Sequence, residues 1–315
     1  LRNIDKRRLP IFVVQPLSLF AILKPALNMN SLTNPTQVFI SPTGFRYFLQ
    51  ERIAGGGGGE VYGAVGQTGE RVALKFINPN PHNRGASLAT WINECNSSLR
   101  CQNHPHIVRV FEYFQTAQGH LVIVMERADC SLADVIKRGY RFDTKAICLV
   151  GMQVLQALSY IHSLTLPIIH RDVTPKNVLV FPNWIYKLSD FGISKNVVTH
   201  EEIARTFIGY SSYIPPELLA RGYSRQQADL YQLGVILLTL MLGAPPINEH
   251  LAQQFINEQI LAGVPRQKAE ALIASGGSRG ELARVVAIML RRRDEYRYRT
   301  ALDVSHELSR IFNLP

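Results

Sequence analysis

Two short segments carry the most specific chemistry in the chain. The first is His170-Arg171-Asp172-Val173-Thr174-Pro175-Lys176-Asn177, just ahead of the apolar run Val178-Leu179-Val180-Phe181. The second is Asp190-Phe191-Gly192, eighteen residues after Asp172 and preceded by the strand-like Ile185-Tyr186-Lys187-Leu188. Two carboxylates and an amide set out in this way suit the transfer of a phosphoryl group to a hydroxyl. Asp172 would orient the nucleophile and accept its proton. Asp190 would hold magnesium on a triphosphate, and Asn177 would complete the metal shell. An Asp-Phe-Gly alone means little; both segments at this spacing are highly specific.

Three upstream features fit the same chemistry. Ile53-Ala54-Gly55-Gly56-Gly57-Gly58-Gly59-Glu60-Val61 lies between two expected strands. Glycines let a backbone approach phosphates and aim N–H groups at them, although five in a row also suit a flexible linker. Val72-Ala73-Leu74-Lys75 has strand alternation and presents a lysine that can hold phosphate oxygens; a surface lysine on an edge strand is the plainer alternative. Glu94 is the only acid between Arg71 and Phe111. It falls on an expected helix, where it either pairs with Lys75 or is a solvated helix charge.

The elements that must position these groups follow from periodicity. Phe45–Ile53, Glu60–Val65, Arg71–Ile77, Ile107–Phe114 and His120–Glu126 read as strands, and Ala86–Cys101 as one helix among them. After Ala128 the pattern turns helical. Asp143 is the expected N-cap of a helix reaching Ser163, with Ile147, Val150, Val154, Leu158 and Ile161 on its buried face. Ala228–Leu242 is apolar almost all round and is expected at the centre of the helical part, followed by amphipathic helices over residues 251–312. Residues 1–42 show little periodicity and read as tail and linker. A small β-rich half followed by a larger helical half implies two lobes with a cleft between them.

Taken in order, these motifs resemble the eukaryotic-type protein kinase family from about Phe45 to the C-terminus. The resemblance implies an α+β bilobal fold. A β-rich N-lobe with one main helix would span about 45–126, a hinge about 126–130 and a mainly helical C-lobe about 131–315, after an N-terminal extension over 1–42. It implies ATP and Mg2+ as cofactors and a protein or peptide substrate. By position, Ile53 to Val61 matches the phosphate-covering loop, Ala73 and Lys75 the ATP-contacting strand, and Glu94 the helix partner of the lysine. Met125 matches the back of the adenine pocket, and Glu126 to Ala128 the hinge whose backbone binds adenine. Asp172 matches the catalytic base, with Asn177 and Asp190 as magnesium ligands. Pro215-Pro216-Glu217 resembles the family's Ala-Pro-Glu, with Glu217 paired to Arg297. Asp229, Tyr231 and Gly234 match its Asp-x-Trp-x-x-Gly helix. Thr206 falls at the usual activation-loop phosphosite, with Arg171 and Lys195 as cations to receive the phosphate.

The sequence also departs from the family pattern. Ala54 stands where the first loop glycine is usual, Thr174 replaces the lysine two residues after the base, and Tyr210 replaces a small hydroxyl residue. The helix around Glu94 is one residue longer than usual before His104-Pro105. The leading expectation is a Ser/Thr protein kinase, because the Ala-Ala-Arg pattern of tyrosine kinases after the base is absent. A pseudokinase acting as a nucleotide-binding or scaffold module is the alternative, motivated by Thr174, Ala54 and Tyr210. A small-molecule kinase is the third reading, against which the peptide-docking resemblance of Gly209 to Glu217 argues.

Composition sets the outer bounds. Hydrophobic residues at 46% and charged residues at 18% are those of a globular chain, so disorder is not expected for most of it. A net charge of +10 suits a solvated surface with a basic tail, and also an anionic membrane or an acidic substrate, but without an RNA-binding signature or a long basic helix no nucleic acid partner is expected. Cys95, Cys101, Cys130 and Cys148 form no CxxC pair, which points to reduced thiols in a cytoplasmic setting. The apolar stretch from Pro10 to Leu27 is broken by Gln15, Pro16, Ser18, Lys24 and Pro25 and is too short to span a membrane. Basic residues ahead of it resemble a signal sequence; alternatively Met29 is the initiator. Oligomeric state is not readable from these features.

Overall fold

The strands of the first lobe, rich in β-branched and aromatic residues, form one antiparallel sheet. The computed structural model describes residues 38–56, 59–77, 99–101, 103–116, 120–190, 211–222 and 225–314. Among these, β1 (Val38–Ile40), β2 (Arg46–Gly56), β3 (Gly59–Gly66), β4 (Arg71–Ile77), β5 (Val110–Gln115) and β6 (Leu121–Glu126) lie in the order β1-β2-β3-β4-β6-β5. Alternation along β4 and β6 makes both faces of the sheet apolar. Val72, Leu74, Val122 and Val124 cluster on one face, and Ala73, Ile123 and Met125 on the other. The β4–β6 register sets Ala73 opposite Met125 and Lys75 opposite Ile123.

Two boundaries differ from the sequence reading. Val38–Ile40 lies inside the stretch read as tail and linker, yet it pairs with β2, Val38 opposite Phe48 and Ile40 opposite Arg46. Three residues are too few to display an alternation, so only pairing reveals the strand. Ile107 was expected to begin a strand that instead starts at Val110. Ile107 forms an isolated parallel bridge with Leu188, while the Val108 N–H donates to the Leu188 carbonyl at 2.9 Å and the Leu188 N–H to the His106 carbonyl at 2.9 Å. This segment joins the sheet to the helical lobe.

The described glycines of the run, Gly55, Gly56 and Gly59, lie in paired strands. β2 and β3 stay paired as far as Gly56 opposite Gly59. Gly59 has φ of 114°, and a Cβ there would meet the Phe76 carbonyl oxygen at 2.2 Å, so only glycine fits.

The second lobe holds β7 (Cys130–Ser131), α1 (Leu132–Lys137), α2 (Thr144–His162), β8 (Val178–Phe181), β9 (Ile185–Leu188), α3 (Pro216–Arg221), α4 (Gln226–Leu242), α5 (Gln253–Leu261), α6 (Val264–Leu272), α7 (Gly277–Met289) and α8 (Ala301–Phe312). The Asp143 carboxylate caps α2 by accepting from the Ala146 N–H at 2.7 Å. α2 is the one helix among the described residues long and apolar enough to cross a membrane. Its Ile147, Val150, Val154, Leu158 and Ile161 are buried in the lobe's core instead. α4 is buried along Ala228 to Met241, which is why its composition is apolar all round.

One ion pair ties this lobe together from the inside. The Arg297 guanidinium donates to both carboxylate oxygens of Glu217, at 2.8 and 2.6 Å, and stacks 4.8 Å from the Tyr231 ring centroid. Its Nε donates to the Arg291 carbonyl at 2.8 Å. Both side chains are buried, and desolvation of such a pair is offset only by bidentate geometry with further hydrogen bonds. Arg297→Met is expected to lower the unfolding free energy by about 3–5 kcal/mol, because Glu217 is left buried and uncompensated. Glu217→Leu with Arg297→Met should recover part of that loss. Urea denaturation of both variants checks this; equal destabilisation by the single and double changes would refute it.

Candidate active site

The catalytic segment is held from beneath by α4. Asp229, in the first turn of α4 and fully buried, accepts hydrogen bonds from the His170 N–H at 2.9 Å, the Arg171 N–H at 2.8 Å and His162 Nε2 at 2.8 Å. Burial acts to raise its pKa. The hydrogen bond and charge of His162 and the Arg171 N–H outweigh this and hold the carboxyl below its usual range. The grip is needed because Arg171 has φ of 67°, a left-handed conformation that costs a bulky residue about 1–3 kcal/mol. His170 is fixed in turn: Nε2 meets the Ser189 carbonyl at 3.0 Å, and Nδ1 accepts from the Asp172 N–H at 3.3 Å. A carbonyl can only accept, so Nε2 carries the proton.

These contacts bring Asp172, Asn177 and Asp190 together. Asn177 Nδ2 donates to Asp172 Oδ2 at 2.8 Å and to the Asp172 carbonyl at 2.9 Å. The Asn177 carbonyl accepts from the Ser189 N–H at 2.8 Å and from Ser189 Oγ at 3.1 Å. Ser189 thus binds the catalytic segment at both its carbonyl and its N–H, directly before Asp190. Asp190 also has a left-handed backbone, with φ of 56°. Lys75, 6% exposed, reaches from β4 and donates to Asp190 Oδ1 at 2.7 Å. Burial pushes the Asp190 pKa up, but the charge and hydrogen bond of Lys75, with the charge of Lys176, bring it below the usual carboxylate range. The donor set suits a hard cation. Asp190 offers a carboxylate, and Asn177, with Nδ2 turned to Asp172, offers Oδ1. Magnesium would be held by these two side chains, its remaining positions filled by phosphate and water oxygens.

The end of the cleft to which the family resemblance assigns adenine is apolar. Val61, Ala73, Met125, Ala128 and Leu179 belong to one cluster drawn from both lobes. Leu179, on β8, was not marked in the sequence, although its place two residues after Asn177 on an apolar strand was the available signal. The Glu126 carboxylate accepts from Lys187 Nζ at 2.8 and 2.7 Å and from the Arg109 N–H at 2.8 Å, so the hinge is braced against β9, three residues before Asp190. Arg127 pairs with Glu51 and donates to Gln50 Oε1 at 3.1 Å, fixing the hinge to β2. Ile53, Ala54, Gly55 and Glu60 form the exposed rim of the hairpin, where Arg52 bridges Glu60 at 3.1 Å. Gly57, Gly58, Glu94, Phe191, Gly192, Lys195, Thr206 and Tyr210 lie outside the described residues.

Thr174 is fully buried and does not open onto the cleft, and its hydroxyl finds no hydrogen-bond partner among the described residues. Thr174→Val should therefore raise the unfolding free energy, by about 1 kcal/mol, since an unsatisfied buried hydroxyl is removed at nearly constant shape. A lower melting temperature for this variant would show that the hydroxyl is satisfied. The depressed pKa of Asp229 gives a second expectation. Its stabilisation is present above the unfolded value of about 4 and is lost as pH falls through the lower folded value. The stability gap between wild type and Asp229→Asn should be about 3 kcal/mol at pH 7 and shrink in acid. Urea titrations at pH 7 and pH 3 check it; a gap independent of pH would contradict the charged state.

A lysine on a strand, a base held by an asparagine and a carboxylate after β9 recur as a set in one enzyme family, and comparison with known proteins agrees. The protein kinase domain family matches residues 47–305. Serine/threonine-protein kinase PLK4 of Nematostella vectensis is 29% identical over 197 residues, covering 62% of this chain and 20% of the relative. Serine/threonine-protein kinase TIO of Arabidopsis thaliana is 31% identical over 201 residues, covering 64% of this chain and 15% of the relative. The chain thus spans a fifth or less of the length of these two relatives. With its two lobes, its cleft groups and a family match over most of its length, the chain belongs to the protein kinase family.

Proposed function

We propose that this protein transfers the γ-phosphoryl group of ATP, bound with magnesium, to serine or threonine hydroxyls of protein substrates. The observation that carries the reading is the linked set Lys75, Asp172, Asn177 and Asp190. The substrate hydroxyl oxygen attacks the γ-phosphorus while Asp172 accepts its proton. The bond from that phosphorus to the bridging oxygen breaks, and ADP leaves. Asn177 occupies Asp172 Oδ2 and fixes the carboxylate plane, so the proton goes to Oδ1. Asp190 and Asn177 would hold magnesium, which when bound would neutralise charge at the phosphates. Lys75, held at the cleft by Asp190, turns its ammonium to the phosphate oxygens. The names of the two relatives and the lack of Ala-Ala-Arg after Asp172 favour Ser/Thr over Tyr.

A nucleotide-binding scaffold is the second reading, favoured by Thr174, which leaves the position two residues after the base without a cation. Two measurements separate them. Incubation with radiolabelled ATP, magnesium and a Ser/Thr peptide library should give transfer that Asp172→Asn lowers by about 10²–10⁴-fold. Lys75→Met should abolish transfer with nearly unchanged unfolding. Asp190→Asn should lose the extra stabilisation that magnesium adds to ATP. A wild type that binds ATP with magnesium yet transfers no more phosphate than Asp172→Asn would favour the scaffold.

A further inference from the structure

α4 presents a second polar side chain to the catalytic segment, one turn beyond Asp229. Gln232 is fully buried in a helix whose other buried residues are apolar except for Asp229 and Thr239. Its Oε1 accepts from the Val173 N–H at 3.0 Å, and its Nε2 donates to the Arg171 carbonyl at 2.9 Å. The two peptide groups flank Asp172. A carbonyl can only accept and a peptide N–H can only donate, so the orientation of the amide is unambiguous. The side chain pairs with the backbone on either side of Asp172 much as a neighbouring strand would.

Accounting for the backbone donors shows what Gln232 adds. The N–H groups of His170 and Arg171 go to Asp229, that of Asp172 to His170 Nδ1, and that of Val173 to Gln232. Four consecutive donors thus have side-chain acceptors, three of them on α4. Asp229 grips only the side before Asp172. The peptide after Arg171, the residue with the left-handed backbone, is held at its N–H by His170 Nδ1 at 3.3 Å and at its carbonyl by Gln232 at 2.9 Å. Without Gln232 the Val173 N–H loses its acceptor and the Arg171 carbonyl loses the Nε2 donor, so both peptides beside Asp172 lose the bond that α4 gives them. Relaxation of that strain would swing the Asp172 Cα, and displacing a reacting group by about 1 Å can cost on the order of 10²-fold in rate.

We propose that Gln232 is a positioning residue for the catalytic base: its carboxamide, bound to the Arg171 carbonyl and the Val173 N–H, locks the backbone that aims Asp172. The inference rests on the phosphoryl-transfer reading above and assigns Gln232 no contact with nucleotide, metal or substrate.

Gln232→Met keeps the volume and removes both polar contacts. Gln232→Glu keeps the acceptor and, only when protonated, regains a donor in its O–H. The buried Glu would be faced by Asp229 on the same helix and by His162, His170, Arg171 and Asp172 on the elements packed against it. Ile236→Ala, a cavity in the same buried helix, controls for loss of packing. Steady-state transfer to a Ser/Thr peptide library is measured for the full chain, with the ATP-plus-magnesium melting shift as a separate binding readout. Gln232→Met should lose at least tenfold in kcat with KM for ATP within about twofold and the melting shift retained. Gln232→Glu, as a ratio to wild type at each pH, should gain activity between pH 8 and pH 6, which a purely structural role would not produce. Should Gln232→Met fail to fold, the Gln232→Glu pH ratio decides alone. A Gln232→Met kcat within twofold of wild type overturns the proposal. So does a loss matched by Ile236→Ala, or a Gln232→Glu ratio that is flat with pH. Absence of transfer by wild type above the Asp172→Asn level overturns the phosphoryl-transfer reading and this role with it. Active wild type with an indifferent Gln232 overturns this role only.

Discussion

One buried carboxylate carries the catalytic half of the molecule. Asp229 has no exposure to water, and three donors converge on it from α2 and the catalytic segment. A desolvated charge is costly unless every lone pair is used, and that cost makes the arrangement specific. The segment cannot drift without stranding the charge. Its place in the first turn of α4 adds the favourable end of the helix dipole. α4 can serve as the anchor because it is packed on all sides, so its side chains have nowhere to relax.

The second constraint is the joining of the lobes. The backbone bridge of Leu188 to residues 106–108 and the brace of Glu126 with Lys187 both act on β9, the strand that delivers Asp190. The Lys187 ammonium also lies 4.6 Å from the Phe181 ring centroid, so it is held from two sides. The hinge segment at Glu126 and the segment bearing Asp190 are therefore parts of one linked frame. Lys75 with Asp190 is a link of another kind. It spans the cleft with a charge pair whose members can each exchange the other for a phosphate or a cation.

Much of this was legible along the chain because it is local. β4 runs over the residues its alternation marks, Asp143 caps α2 as a helix-starting carboxylate does, and the all-round apolarity of Ala228–Leu242 predicts a helix buried on every side. The sequence also names Lys75, Asp172, Asn177 and Asp190, because motif spacing is a one-dimensional quantity. It does not show that Val38–Ile40 is a strand, since three residues carry no period and their partner lies beyond a turn.

What only the tertiary structure decides is which buried polar group meets which backbone. A glutamine within an apolar helix signals that partners must exist, but those of Gln232 lie about sixty residues earlier in the chain. The same holds for His162 at Asp229, Lys187 at Glu126 and Leu179 beside Ala73 and Met125. Sequence shows Thr174 where the family has a lysine, but only the fold shows that its side chain is buried. Sequence determined the chemical groups and the elements that bear them, because propensity and periodicity act over a few residues. The fold decided their pairing, because burial leaves each charge or amide only the partners that packing brings within about 3 Å.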